Sequence, residues 1–310
     1  MARDPLIRGV RWILSGVLAL VVVLVLGWAP IFDWMAPGEI GRAGPEPASR
    51  TRSSSQRLVV LISIDGLAPR FLATTPTPHI DRLASQGAVA TEARTVVPSI
   101  TMASHTSMIS GVSPNVHGVH FNRYQPWSRV GVPTIYTECE HARLRCGLFA
   151  GKRKFAHFAE DESGVERYRW GPDAHSVIEQ ALDYIRTASP DFVMIHLAEV
   201  DRAGHDDGWG SEQQRDRIRM VDALLGEFVD ELTDWAERPL VLIVTSDHGG
   251  HDRQHGSDRS DDVDIPWIAW GDGIPAGGRL ADVGTEDTAA TVMSLLGLDV
   301  PGDWTGRPRL

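Results

Sequence analysis

The stretch VTSDHGGHDRQHG, residues 244–256, decides how the chain folds and where its polar side chains meet. It overlaps the end of the apolar, β-rich run 240–244, so a buried strand is predicted to end just before Asp247 and His248. Open α/β sheets collect ligands at the carboxyl ends of their strands. Carboxylate oxygen and imidazole nitrogen suit zinc or a similar ion. The stretch therefore predicts a metal site, with a solvated polar loop as the alternative.

Two further predicted strands end in the same kinds of side chain. RLVVLISIDG (57–66) predicts a buried strand that ends at Asp65, for which a turn role is the alternative. DFVMIHLAEVDRAGHDDG (191–208) predicts a strand that ends in Asp201, with His205 in the loop after it. In a parallel sheet all carboxyl ends lie along one edge. These side chains can therefore converge and hold two divalent ions.

A hydroxyl-bearing helix start is predicted between these strands. PSITMASHTSMISG (98–111) predicts a helix that begins near Thr101 and ends at Gly111. The free N–H groups and the dipole at a helix N-terminus favour an anion. Thr101 is therefore either an N-cap or a nucleophile whose alkoxide a metal stabilises, and Ser99 and Ser104 compete for either role.

The rest of the folded part alternates between strand and helix patterns. This alternation predicts an α/β fold, a doubly wound, mostly parallel sheet with helices on both faces. The predicted helices cover 79–87, 134–144, 175–187, 212–235 and 286–298, and further predicted strands cover 88–97, 146–151 and 264–271.

The N-terminal part differs in composition from the rest. Residues 12–32 carry no charge and are long enough for a transmembrane helix, with a cleaved signal peptide as the alternative. Three arginines in 1–11 place that segment in the cytoplasm and the remainder on the periplasmic or extracellular side of the cell membrane. Residues 33–57 are predicted to be a flexible linker, and 58–310 to be one domain.

Composition limits the partners of the chain. Its net charge of -11 argues against nucleic acid, because phosphate backbones attract basic surfaces. The two cysteines, Cys139 and Cys146, could form a disulfide after export, but not from one continuous helix. Neither this choice nor the oligomeric state is decided by the sequence.

Five stretches together resemble the alkaline phosphatase superfamily, and within it the type I phosphodiesterase/nucleotide pyrophosphatase family. They are ISIDG, VPSITMASHTSMISG, VDRAGH, SDHGGH and QHGSD, and the resemblance runs from about Leu58 to the C-terminus. It implies two zinc ions, the first held by Asp65, Thr101, Asp247 and His248 and the second by Asp201, His205 and His255. The match of QHGSD favours His255 over His251 as the late histidine.

The resemblance also implies a reaction and a substrate class. Thr101, deprotonated on one metal, attacks phosphorus in a phosphate ester, a phosphodiester or nucleotide pyrophosphate foremost, and forms a phosphothreonine. The other metal stabilises the leaving oxygen and then activates water. Many relatives have Asn where this chain has Ser104, so Asn122 and Lys152 are candidates for the missing phosphoryl contact. The short spacing from His248 to His255 leaves no room for a capping insertion and predicts an open site.

Other activities of this fold remain as alternatives. A sulfatase needs Cys or Ser in C/S-x-P-x-R, and the segment after Thr101 has neither the Pro nor the Arg. A phosphomonoesterase, a phosphonate hydrolase and a phospholipid headgroup hydrolase or transferase would use the same metals. An inactive, membrane-tethered binding protein is the alternative from another class, and the intact set of seven ligand-type residues argues against it.

Overall fold

A computed structural model describes residues 33–41, 57–160, 163–235 and 237–310 of the chain. Its strands are β1 (Glu39–Gly41), β2 (Leu58–Ile64), β3 (Ala88–Ala90), β4 (Ala93–Arg94), β5 (Cys146–Ala150), β6 (Arg167–Trp170), β7 (Phe192–Leu197), β8 (Leu240–Thr245), β9 (Trp267–Gly271), β10 (Gly278–Leu280) and β11 (Val283–Gly284). Its helices are α1 (Pro69–Leu72), α2 (Pro78–Gln86), α3 (Thr101–Ser110), α4 (Pro114–His117), α5 (Ile135–His141), α6 (Ala174–Ala188), α7 (Glu199–Asp207), α8 (Glu212–Trp235), α9 (Ser260–Val263) and α10 (Thr285–Leu295), with a 3-10 helix at Arg153–Phe158.

Nine strands form one sheet in the order β1-β6-β5-β7-β2-β8-β9-β3-β10. The central strands β6, β5, β7, β2 and β8 are parallel, whereas β1–β6, β8–β9 and β3–β9 are antiparallel pairs. Each crossover between the central strands includes at least one α-helix, except that from β5 to β6, which contains the 3-10 helix. The predicted doubly wound, mostly parallel α/β fold is confirmed.

Both faces of the sheet are buried, as the apolar strand sequences require. Side chains in a strand point alternately to opposite faces. In β2, Val59 and Leu61 join one hydrophobic cluster, while Val60 and Ile62 join the other. All four are at most 1% exposed. The continuous apolar run in β2 is therefore the signature of a strand covered by helices on two sides.

Part of the predicted linker 33–57 is folded, because residues 39–41 form β1. β1 pairs antiparallel with β6, and the Gly38 carbonyl accepts the Trp170 N–H at 2.8 Å. Ala36 is 2% exposed, and Glu39 lies 2.8 Å from a guanidinium nitrogen of Arg169. The composition of 36–57 concealed this strand because its three residues gain their partners only from β6.

The candidate membrane span, residues 12–32, lies outside the described residues. Within 33–41, 57–160, 163–235 and 237–310, no helix combines the length and the apolar character needed to cross a bilayer. Cys139 lies in α5 and Cys146 in β5, and both are buried free thiols.

Candidate metal centre and active site

Three buried carboxylates meet at the carboxyl edge of the sheet. Asp65 follows β2 directly, Asp247 follows β8, and Asp201 lies in the first turn of α7 after β7. They converge because β2 is flanked by β7 and β8 in parallel register. Each is at most 2% exposed. Gly66 permits the approach: its φ is +77°, and a Cβ there would lie 2.9 Å from the Cα of Asp201.

Asp201 and His205 differ from the predicted arrangement. They lie on α7 rather than in a loop, because the helix begins at Glu199, two residues after β7 ends. One helical turn separates them, so both side chains project from the same face. His205 Nε2 and Asp201 Oδ1 are 3.4 Å apart.

Three histidines point Nε2 toward the carboxylates. The Nδ1 atoms of His248, His255 and His205 lie 2.8, 2.8 and 3.0 Å from the backbone carbonyls of Gly249, Ser99 and Arg253 respectively. A carbonyl only accepts hydrogen bonds, so in the neutral rings Nδ1 carries the proton and Nε2 a lone pair. This is the arrangement that orients a metal-binding imidazole.

Several lone-pair atoms in this cluster face one another without a donor. His248 Nε2 lies 3.4 Å from Asp65 Oδ1 and 3.3 Å from Asp247 Oδ2. These three atoms and Asp201 Oδ1 are buried and have no hydrogen-bond partner among the described residues. Buried unpaired acceptors are costly, whereas a cation between them would satisfy all four. The residues present therefore fit a metal centre.

The structure brings most of the predicted ligands into two groups. Ligand atoms of Asp65, Asp247 and His248 lie within 4.8 Å of one another, and so do those of Asp201, His248 and His255. His248 is thus shared, whereas the sequence placed it with the first ion alone. His205 stands beside the second group, with its ring centroid 5.0 Å from that of His255.

Thr101 is the first residue of α3 and is fully buried. The N-cap position is occupied by Ile100, which makes no side-chain capping bond, so the N-cap role considered for Thr101 is wrong. The competing hydroxyls are engaged: Ser99 donates to the Ser257 carbonyl at 2.7 Å, and Ser104 donates to the Asp247 carbonyl. Ser104 also contacts the Thr95 hydroxyl, so its side chain braces the Asp247 loop.

Lys152 lies between the carboxylates and Thr101. Its Nζ is 2.6 Å from Oδ2 of both Asp65 and Asp201, and 3.4 Å from Oγ1 of Thr101. Burial alone would lower the pKa of Lys152, but Asp201 and Asp65 outweigh burial and raise the pKa above its usual value. The ammonium is therefore charged and lies within reach of any group held at Thr101.

Comparison with known proteins identifies the family. The family described as type I phosphodiesterase / nucleotide pyrophosphatase matches residues 59–141 and 149–264, which is more than half of the chain. The chain belongs to this family. Human ectonucleotide pyrophosphatase/phosphodiesterase family member 7 is 26% identical over 223 residues, covering 63% of this chain and 48% of the relative. The chain thus spans about half the length of that relative.

Solved structures share the fold at low sequence identity. Murine ectonucleotide pyrophosphatase/phosphodiesterase 5 has a TM-score of 0.69 and 15% identity, covering 80% of this chain and 97% of that one. A 2-O GAG sulfatase, BT1596, has a TM-score of 0.65 and 16% identity, covering 82% of this chain and 73% of that one. A phosphodiesterase and a sulfatase therefore share this architecture, so the fold by itself does not specify the reaction.

The pKa values of two buried carboxylates in the site, Asp247 and Asp65, are shifted in opposite directions. Burial, reinforced by the charge of Asp65, raises the pKa of Asp247 to about 7. Burial would also raise the pKa of Asp65, but Lys152 and a hydrogen bond from His196 hold it well below its usual value. Burial and then His248 lower the pKa of His255 to about 3, so its imidazole is neutral. A neutral imidazole and ionised carboxylates are the forms that bind metal.

Two buried histidines were missed by sequence reasoning. His196 Nε2 lies 2.7 Å from Asp65 Oδ2 and thereby orients that carboxylate. His105 Nδ1 lies 2.8 Å from the Thr101 carbonyl, and its Nε2 lies 2.9 Å from the Ser63 hydroxyl, which fixes the first turn of α3. A detectable signal existed: His196 is the only polar residue in β7.

Lys154 and Asn122 extend the site along the N-terminus of α3. Asn122 Oδ1 accepts the Met102 N–H at 3.2 Å and lies 2.8 Å from Lys154 Nζ. Asn122 thus lies beside the residue that follows Thr101, and its role as a substrate contact stays a prediction, whereas Lys154 was missed. The sequence held a clue, because Lys152 and Lys154 are the only lysines in a chain with 30 basic residues.

Replacing Lys154 by methionine is expected to change how stability depends on pH. Burial and then Lys152 lower the pKa of Lys154 from 10.5 to about 8, so the unfolded chain binds more protons between those values. Stability of the wild type should therefore rise with pH from about 8 to 10.5, by at most about 1.4 kcal/mol per pH unit. The free energy of unfolding of Lys154→Met, measured with urea, should not show this rise with pH. If the free energy of unfolding rose equally with pH in both proteins, the lowered pKa of Lys154 would be contradicted.

Proposed function

We propose that this chain is a two-metal hydrolase of phosphate esters, with phosphodiesters and nucleotide pyrophosphates as its main substrates. One observation carries the proposal. Four buried lone-pair atoms on Asp65, Asp201, Asp247 and His248 face one another without donors, next to a threonine at a helix N-terminus. Family membership supports the reaction class, and the carboxylate and imidazole ligands favour zinc.

The ligands would be divided between two ions. One ion would be held by Asp65, Asp247, His248 and Thr101, and the other by Asp201, His205 and His255. When bound, the ions would supply Lewis-acid stabilisation of the attacking and leaving oxygens. The shared position of His248 Nε2, close to both groups, supports adjacent ions.

The protein's own groups would perform the remaining steps. Thr101 Oγ would attack phosphorus, so that an Oγ–P bond forms while the bond to the leaving alkoxide breaks. The positive end of the α3 dipole and the Lys152 ammonium would stabilise the phosphoryl oxygens. Water would then cleave the phosphothreonine, returning the Thr101 hydroxyl and releasing the phosphoryl group as a phosphomonoester or as phosphate.

The two lysines favour a second candidate, a phosphomonoesterase. A phosphate monoester carries one more negative charge than a diester and gains more from nearby cations. Lys152 Nζ lies 3.4 Å from the Thr101 hydroxyl, and Lys154 Nζ lies 2.8 Å from Asn122 Oδ1. Ser104 is turned away toward Asp247, so these lysines and Asn122 would replace it as phosphoryl contacts.

The proposal includes attachment to the cell membrane. Residues 12–32 would span the bilayer with the catalytic domain on the extracytoplasmic side. Support comes from the sequence alone: the apolar run and the arginines before it.

Turnover of bis-p-nitrophenyl phosphate against p-nitrophenyl phosphate tests the function. We expect the full chain in detergent to lose activity with a chelator and to regain it with zinc, with preference for the diester. Preference for the monoester would favour the second candidate. Activity that persists after complete metal removal would refute the two-metal reaction.

A further inference from the structure

The folded segment before β2 reaches the domain at its catalytic edge. β6 is parallel to β5, so Trp170 at the end of β6 lies beside Ala150 at the carboxyl edge. β1 is antiparallel to β6, with Glu39 opposite Arg169 and Gly41 opposite Arg167. The chain therefore enters β1 from the carboxyl edge, where the metal ligands lie.

Residues 33–38 are held at that edge by contacts to the active-site loops. The Asp33 carboxylate accepts the Tyr124 N–H at 2.7 Å, two residues from Asn122. Arg153, which follows Lys152, donates to the Ala36 carbonyl at 3.2 Å. Both contacts join the segment to the loops that carry the polar groups around Thr101.

Two apolar side chains of this segment face solvent. Trp34 is 78% exposed and Met35 is 57% exposed. Tryptophan is enriched where protein meets the headgroup region of a bilayer. The candidate membrane span ends at residue 32, so only Asp33 separates it from this exposed pair.

We infer that the carboxyl edge of the sheet, with the active site, faces the membrane surface, because segment 33–41 docks the domain on the bilayer. A docked segment of this kind fixes the orientation of the domain, whereas a flexible linker would let it rotate freely. The substrates best placed for Thr101 are then phosphate esters presented at a bilayer, such as lipid headgroups. This last step depends on the proposed hydrolase function, but the orientation does not.

Helix α6 provides matched positions to test the orientation. It begins just after β6 at the carboxyl edge and ends just before β7 at the amino edge. His175 in its first turn and Thr187 near its end are both exposed, and twelve residues of helix separate them by about 18 Å. His175→Cys and Thr187→Cys can each be labelled with a fluorophore, because both native cysteines are buried.

The full chain would be placed in phosphatidylcholine–phosphatidylglycerol vesicles that contain a lipid-borne quencher. We expect at least twofold stronger quenching of the label at 175 than at 187. Equal quenching or stronger quenching at 187 would overturn the inference, and no quenching at either position would overturn both the inference and the proposed membrane attachment. This readout needs no turnover, so its failure is distinct from failure of the proposed hydrolysis.

Inserting ten Gly/Ser residues between positions 32 and 33 provides the second variant. It leaves the contacts of segment 33–41 with the domain in place and removes only the short connection to the membrane span that would fix the orientation of the domain. We expect the difference between the two labels to disappear, and hydrolysis of vesicle-borne esters to fall relative to hydrolysis of a soluble ester. An unchanged quenching difference would show that the anchor does not set the orientation.

Discussion

Replacing Thr101 by alanine is expected to reduce turnover of phosphate esters by about 10⁴-fold or more, as loss of a nucleophile does in other hydrolases. The hydroxyl is at the first position of α3, and Lys152 Nζ lies 3.4 Å from it. No side-chain capping bond holds the helix start, so loss of the hydroxyl should leave the fold intact. Steady-state kinetics with bis-p-nitrophenyl phosphate would measure the loss, and metal analysis would establish whether the ions remain.

Thr106→Ala is the matched control for this experiment. Thr106 is in the same helix and is also fully buried, but its hydroxyl donates only to the Met102 carbonyl, at 2.7 Å. We expect this variant to keep activity within about tenfold of the wild type, since it loses one local hydrogen bond. Thr101→Ser should retain part of the activity, because it keeps an attacking oxygen. Full activity of Thr101→Ala would contradict the nucleophile assignment.

Asp247→Asn is expected to weaken metal binding by at least about 100-fold and to abolish most turnover. Oδ1 of Asp247 accepts the Gly66 and His248 N–H groups at 3.2 and 3.0 Å, and an asparagine oxygen can replace it. Its Oδ2 has no hydrogen-bond partner among the described residues, so the new NH₂ would lie where a ligand lone pair is now. A 100-fold loss of affinity removes about 2.7 kcal/mol of metal-linked stabilisation.

Without metal, Asp247→Asn should be more stable than the wild type, which reverses the order expected with metal bound. Because burial and Asp65 raise the pKa of Asp247 to about 7, the folded state holds its proton more tightly than the unfolded chain. This contribution is lost as pH rises from about 4 to 7, so metal-free wild type should be less stable than metal-free Asp247→Asn above that range. Thermal unfolding with and without zinc would measure both effects.

Asp222→Asn is the control for a buried carboxylate outside the metal centre. Asp222 is 2% exposed and accepts the Ile80 N–H at 2.8 Å, so it caps α2 and contacts none of the predicted ligands. We expect its zinc-dependent stabilisation to equal that of the wild type. If Asp247→Asn also kept full metal binding and activity, the proposed metal centre would be refuted.

The architecture was predictable because its signals are local. Continuous apolar runs marked β2, β7 and β8 as strands buried on both faces, and the alternation of strand and helix implied parallel pairing. The start of α3 at Thr101 and its end at Gly111, whose φ is +66°, follow from residues within one helix. Each of these features depends on interactions between neighbours in sequence.

The partners of the site residues could not be predicted from the sequence. Nothing near β1 indicates a strand, because its hydrogen bonds come from β6, more than a hundred residues later. The same holds for His196 at Asp65 and for Lys154 at Asn122, which approach one another only after the sheet has formed. The convergence of most predicted ligands could be expected because strand ends share an edge, whereas the position of His248 between the two groups became apparent only in the folded structure.

The sequence by itself determined the central strands β2, β5, β7 and β8, most of the longer helices and the identity of the side chains delivered to the carboxyl edge. These are properties of short segments, set by apolar periodicity and by the residue types at strand and helix ends. Only the tertiary structure decided which hydroxyl contacts Lys152, that Lys152 lies among the carboxylates, and that segment 33–41 is folded. Those outcomes depend on distances between atoms far apart in sequence, and packing alone sets such distances.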